Sequence, residues 1–196
     1  MAGRPNMTVA TIFAGVPARA GQLTGFDKSC GFANAEEAVR ARRGEDRAAL
    51  ARLAAHCEWL DFPDGQYGEP SDEATIAEAL IATADIVNPN LLIGPLGLAH
   101  PDHHIARRAY QALVAATGIE AWVYEDMPSR VLWPEEVPDA LAWWKDAGYK
   151  PELSFVGTGP FQAKDEALSC YTSQHWWMGE HWHACRVRER LWRLCP

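Results

Sequence analysis

The segment His100-Pro101-Asp102-His103-His104 gathers three imidazoles and a carboxylate within five residues. Neutral imidazole is the commonest nitrogen ligand for zinc and the usual acid or base near neutral pH. With Pro101 as the first residue of a helix, His100 and His103 point to the same side, close enough to address one metal-bound group. Asp102 can then accept a hydrogen bond from an imidazole and fix its tautomer. A plainer reading stays open, in which the histidines cap a helix or cover an exposed edge. Farther along, His181 and His183 sit in an aromatic tract with Trp176, Trp177 and Trp182, whose expected role is packing.

The elements that must hold these residues follow from pattern. A strand is expected over Thr8–Phe13, rich in β-branched residues and stopped by Gly15 and Pro17. Asn34 followed by Glu37 has the form of a capping box and opens a helix to about Ala55. A strand over Cys57–Phe62 closes at the turn Pro63-Asp64-Gly65, and a helix over Glu73–Asp85 leads into the apolar run Leu91–Gly94. The histidine segment then opens a helix over Asp102–Ala116, followed by a strand over Ala121–Tyr124. Residues 125–138 are expected to be a loop, its acidic Glu125 and Asp126 solvated or, as the alternative, lining the cleft rim, with a helix over Ala140–Ala147 and a strand over Glu152–Val156 beyond it. The tail, 164–194, is expected to be helical in pieces. Alternation of strands and helices implies a single α/β domain over 1–196 with a mostly parallel sheet, whose ligands gather beyond the carboxyl ends of the strands. The histidines lie at one such end.

Composition narrows the function. Of 196 residues 48% are apolar and 22% charged, enough to bury a core, and the formal charge of -8 offers no field for phosphate backbones or anionic membranes. A small-molecule substrate is expected, with self-association left open. Nothing resembles a signal core or a span of about 18 apolar residues, so a cytoplasmic location is expected. Five cysteines without a C-x-x-C pair indicate neither a disulfide framework nor a thiolate zinc site.

Several short segments, taken in order, resemble the zinc-dependent deacetylases of the LmbE-like, or PIG-L, type. They are Thr8-Val9-Ala10-Thr11-Ile12-Phe13-Ala14-Gly15, Arg42-Arg43-Gly44-Glu45-Asp46, Leu60-Asp61-Phe62-Pro63-Asp64-Gly65, His100-Pro101-Asp102-His103 and Tyr124-Glu125-Asp126-Met127-Pro128. Lys164, Tyr171, Ser173 and Gln174 resemble that family's K…YxSQ segment, and Glu189-Arg190-Leu191-Trp192 its closing motif. The resemblance implies a Rossmann-like three-layer fold and removal of an N-acetyl group from an amino-sugar-type small molecule. It also implies that His103 is a zinc ligand, that His100 steadies the oxyanion with Asp102 orienting it, and that Arg42 and Asp64 lie on the substrate side. By residue chemistry alone, Arg42 with Glu45 is equally an ordinary helix-surface ion pair, and Asp64 a good turn former.

One departure qualifies this. Members of the family open with a strand ending in S/A-H-x-D-D, which supplies a zinc histidine, a zinc aspartate and the general base. This chain has no such string, and its first strand resembles the family's second. Catalytic zinc usually takes three protein ligands plus water, so His103, even with help from His100 or Asp102, would hold the metal weakly. The expectation is a deacetylase domain truncated at its amino terminus and missing its first strand. The alternatives are a shortened, non-catalytic protein that binds an amino sugar, or a strand supplied by a partner chain.

Overall fold

The computed structural model describes residues 6–19, 21–68, 71–157 and 161–196. Residues 1–5, part of the opening read above as lacking a signal core, lie outside the described residues. In chain order the elements are β1 (Thr8–Thr11), α1 (Gly25–Ser29), α2 (Ala35–Arg52), β2 (His56–Trp59), α3 (Glu73–Val87), β3 (Leu92–Pro95), α4 (Pro101–Thr117), β4 (Ala121–Tyr124), α5 (Ser129–Leu132), α6 (Glu136–Asp146), β5 (Lys150–Val156), α7 (Gln162–Leu168), α8 (His175–Cys185) and β6 (Arg190–Cys195). The chain divides into two compact units, one of residues 1–71 and 160–180, the other of 72–159 and 181–196. No described helix is long and apolar enough to cross a membrane.

The first unit is built on a two-stranded parallel sheet, with Thr8 paired to His56 and Thr11 to Trp59. Its long helix α2 starts where the sequence says it should. The Asn34 side chain accepts from the Glu37 amide at 2.9 Å, satisfying an orphan donor of the first turn, and the Glu37 carboxylate reaches back to the Ala33 amide at 2.8 Å, tying down the residue before the cap. Ala35 and Val39 on the buried face of α2 pack with Tyr67.

The second unit holds a four-stranded sheet in the order β3-β4-β6-β5. β3 and β4 run parallel, while β6 is antiparallel to both β4 and β5. The expected mostly parallel sheet is therefore corrected to a parallel pair in one unit and a mixed sheet in the other. The cause is β6, a strand inside the tail expected to be helical. The expected loop 125–138 is corrected too. It contains α5 and the start of α6, and Pro138 is accommodated in the first turn of α6, where an amide hydrogen has no helical acceptor to lose.

Packing in the second unit turns on Tyr110. Its ring covers Gly94 of β3 so closely that a Cβ built there would stand 2.5 Å from ring carbons, its hydroxyl donates to the Trp122 carbonyl at 2.9 Å, and its edge meets Trp144, which is fully buried. Glycine at 94 is what lets α4 lie against β3. Among the described residues β1 pairs only with β2, and β3 only with β4, so each sheet has an open parallel edge. On β3 that edge carries Ile93, 49% exposed.

Candidate functional site

α4 begins at the histidine segment. His100 is its N-cap, accepting from the Asp102 amide at Nδ1 over 3.2 Å, Pro101 follows in the first turn, and Gly118 closes the helix in the left-handed region. With Nδ1 accepting, the hydrogen of neutral His100 sits on Nε2. The Asp102 carboxylate lies 4.0 Å from that Nδ1, so His100 is oriented mainly by the amide of Asp102 and only secondarily by the carboxylate. The capping and the site readings of His100 thus coincide in one geometry.

His103 lies one turn on, with its ring centroid 5.5 Å from that of His100. Its Nδ1 is 3.0 Å from the Leu98 carbonyl and 3.2 Å from Asp126 Oδ1. Both neighbours accept, so Nδ1 carries a hydrogen and Nε2 is the nitrogen left to act. Burial by itself would lower the basicity of His103, but the Asp126 carboxylate outweighs it and holds the imidazolium above its ordinary range. Asp126 is buried, and its other oxygen accepts from the Gly97 amide at 2.9 Å and the Leu98 amide at 3.3 Å. One carboxylate therefore fixes both the imidazole and the loop that leads to it.

That loop needs special backbone. Gly97 has φ +83°, and a Cβ there would meet Arg107 Cβ at 2.8 Å and the His103 carbonyl at 3.0 Å. Ala99, at φ +59°, is held by its amide donating to Glu136 Oε2 at 2.6 Å. Sequence reasoning missed Asp126 and Glu136 as supports and expected Glu125 and Asp126 to be solvated. Both are buried instead, Glu125 receiving Trp192 Nε1 and Arg130 at 2.9 Å each. The available signal was their place directly after a buried strand that runs parallel to the one leading to the histidines.

Arg42 and Asp64 belong to the first unit, where they line one cavity of about 270 Å³ together with Phe13, Trp59, Tyr67 and Tyr171. Arg42 does not make the expected surface pair with Glu45. Its guanidinium donates at 2.6 Å to Asp27, which is fully buried and also accepts from the Tyr67 hydroxyl at 2.9 Å. Phe26 and Phe32 lie against that guanidinium, 5.4 and 5.5 Å from their centroids. Asp64 caps the short turn after it, accepting from the Gln66 amide at 2.9 Å. The turn role and the cavity position hold together. The tail histidines are partly exposed on α8, and Trp176, expected in the core, is 45% exposed against Phe26.

No family model and no curated protein matches the sequence. Solved structures do. The A40926 pseudoaglycone deacetylase superposes with a TM-score of 0.77 at 24% identity, over 96% of this chain and 85% of that one. The zinc-inhibited form of teicoplanin deacetylase gives 0.75 at 21% identity, over 96% and 87%. A deacetylase–teicoplanin complex gives 0.73 at 20%, over 97% and 87%. This chain has the fold of those deacetylases. The fold carries no ligand set with it. Among the described residues no group of three or more His, Cys, Asp or Glu side chains converges as a metal would require. His100 and His103 make a pair and no third donor joins them, so these residues do not fit a three-ligand zinc centre and no step is derived through one.

Proposed function

We propose that this deacetylase-fold chain acts on the N-acetyl group of an amino-sugar-type small molecule, releasing acetate and an amine. The observation that carries this reading is the pair of imidazoles at the start of α4, with His103 locked through Nδ1 to Leu98 and Asp126 and His100 presenting Nε2–H. When water adds to an amide carbonyl, negative charge grows on the oxygen, and a donor already aimed there stabilises it without reorganising. His100 Nε2–H is such a donor. His103 Nε2, the open nitrogen of a ring held through Nδ1, orients a neighbouring water. The first unit by itself holds a cavity lined by Arg42 and Asp64, whose aromatic faces suit the flat side of a sugar ring.

A second reading, an amino-sugar-binding protein without catalysis, is favoured by one observation: the described donors stop at two imidazoles. The experiment that separates the two measures acetate released from N-acetylglucosamine, with and without added zinc, alongside equilibrium binding of the same sugar. Hydrolysis that falls about a hundredfold in His100→Ala supports the enzyme. Binding without release supports the second reading, and neither binding nor release refutes both.

A further inference from the structure

In the first unit one wall of the cavity comes from far along the chain. Tyr171 and Gln174 line it beside Arg42 and Trp59, and what holds their segment is a pair of adjacent carboxylates on α2. Glu45 Oε1 accepts from Thr172 Oγ1 at 2.9 Å and from the Ser173 amide at 2.7 Å, while its Oε2 accepts from Ser173 Oγ at 2.8 Å. Asp46 Oδ1 accepts from the Tyr171 hydroxyl at 2.9 Å, and its Oδ2 takes Trp59 Nε1 at 2.8 Å and Thr11 Oγ1 at 3.1 Å. All four oxygens are used, three of them by residues 171–173.

The segment has little else to hold it. None of residues 171–175 is buried, and in the preceding α7 only Ala167 is. A stretch that buries so little apolar surface depends on its polar contacts for its place. Hydrogen bonds to ionised acceptors are the stronger kind, and two carboxylates on successive residues present such acceptors to one short segment. The Gln174 carboxamide has no hydrogen-bond partner among the described residues, so its two N–H donors and its carbonyl oxygen are left at the cavity wall.

We propose that Glu45 and Asp46 are a two-carboxylate latch that positions residues 171–174 as the ligand-selecting wall of this cavity, with Gln174 reading a secondary amide on the bound molecule. The occupant rests on the function proposed above; the latch does not. A trans secondary amide presents its N–H and its carbonyl on opposite sides, and a carboxamide, which both donates and accepts, can meet either one. Glu45 lies outside the lining and acts only through the segment it holds, which makes it the better residue to test.

The test compares wild type, Glu45→Gln and the surface control Glu36→Gln by hydrogen–deuterium exchange without ligand, and by titration with N-acetylglucosamine and glucosamine. Glu45→Gln is expected to raise exchange across 171–175 at least tenfold and to weaken N-acetylglucosamine binding by a similar factor, with Glu36→Gln matching wild type. Gln174→Leu is expected to keep wild-type exchange and to lose the preference for the acetylated sugar. Unchanged exchange in Glu45→Gln overturns the latch, and raised exchange with unchanged binding overturns its control of the cavity. If wild type binds neither sugar, the proposed occupant falls, while the exchange arm still decides the latch.

Discussion

Replacing Arg42 with methionine keeps much of the side-chain volume and removes the charge that compensates Asp27. Asp27 is fully buried, and its two oxygens are met by Arg42 at 2.6 Å and Tyr67 at 2.9 Å. Removing one partner of a buried pair leaves an uncompensated carboxylate, at about 3–5 kcal/mol. The surviving Tyr67 bond places Arg42→Met toward the lower end, while loss of the cation from between Phe26 and Phe32 adds about 0.5–1 kcal/mol for each contact, so a net cost of about 4 kcal/mol is expected. Urea unfolding followed by circular dichroism reads the change. The double variant Asp27→Asn/Arg42→Met supplies the control, because a neutral amide needs no counter-charge and the pair should cost less than the sum of its single changes. A loss below about 1 kcal/mol in Arg42→Met, or strict additivity in the double variant, would refute the assignment of Arg42 as the counter-charge of a buried acid.

Three further outcomes are expected. Asp126→Asn removes the carboxylate that raises His103, so the wild-type minus variant difference in unfolding free energy should be full below about pH 6.5 and shrink as pH rises past the raised value; urea titrations at pH 5.5 and 8.5 measure it, and a difference that grows with pH contradicts the pairing. Gly94→Ala drives a methyl group into the Tyr110 ring and should cost about 1–3 kcal/mol, read as a lower melting temperature by calorimetry, with no change telling against the close packing of α4 on β3. Asn34→Ala deletes the cap of α2 and should cost about 1 kcal/mol by urea unfolding, against only a few tenths for Asn34→Gly.

Local chemistry made the starts of α2 and α4 readable in the sequence, since a capping pair at Asn34 and Glu37 and Pro101 as first helical residue mark them wherever the helix packs. The cluster of His100 and His103 was readable for the same reason: helical spacing alone puts them together. Asp126 was not, because its burial comes from amides of another loop, at Gly97 and Leu98, and no pattern around residue 126 announces them. Asp27 stayed hidden in a short helix after a Gly-rich stretch, with its partners 15 and 40 residues away. β6 failed for a related reason. Its residues recur three apart, Arg190 with Arg193 and Leu191 with Leu194, a spacing that suits a helix, and what makes them a strand is the pair of neighbours waiting on either side.

That position of β6 has a consequence for synthesis. β4 and β5 leave the ribosome earlier, yet they never touch through hydrogen bonds; the strand that joins them is made of residues 190–195. Until that strand docks, the facing edges of β4 and β5 are both unpaired, two seams that only β6 closes. A single strand therefore carries the whole hydrogen-bonded link between β4 and β5, and both seams close together when it docks.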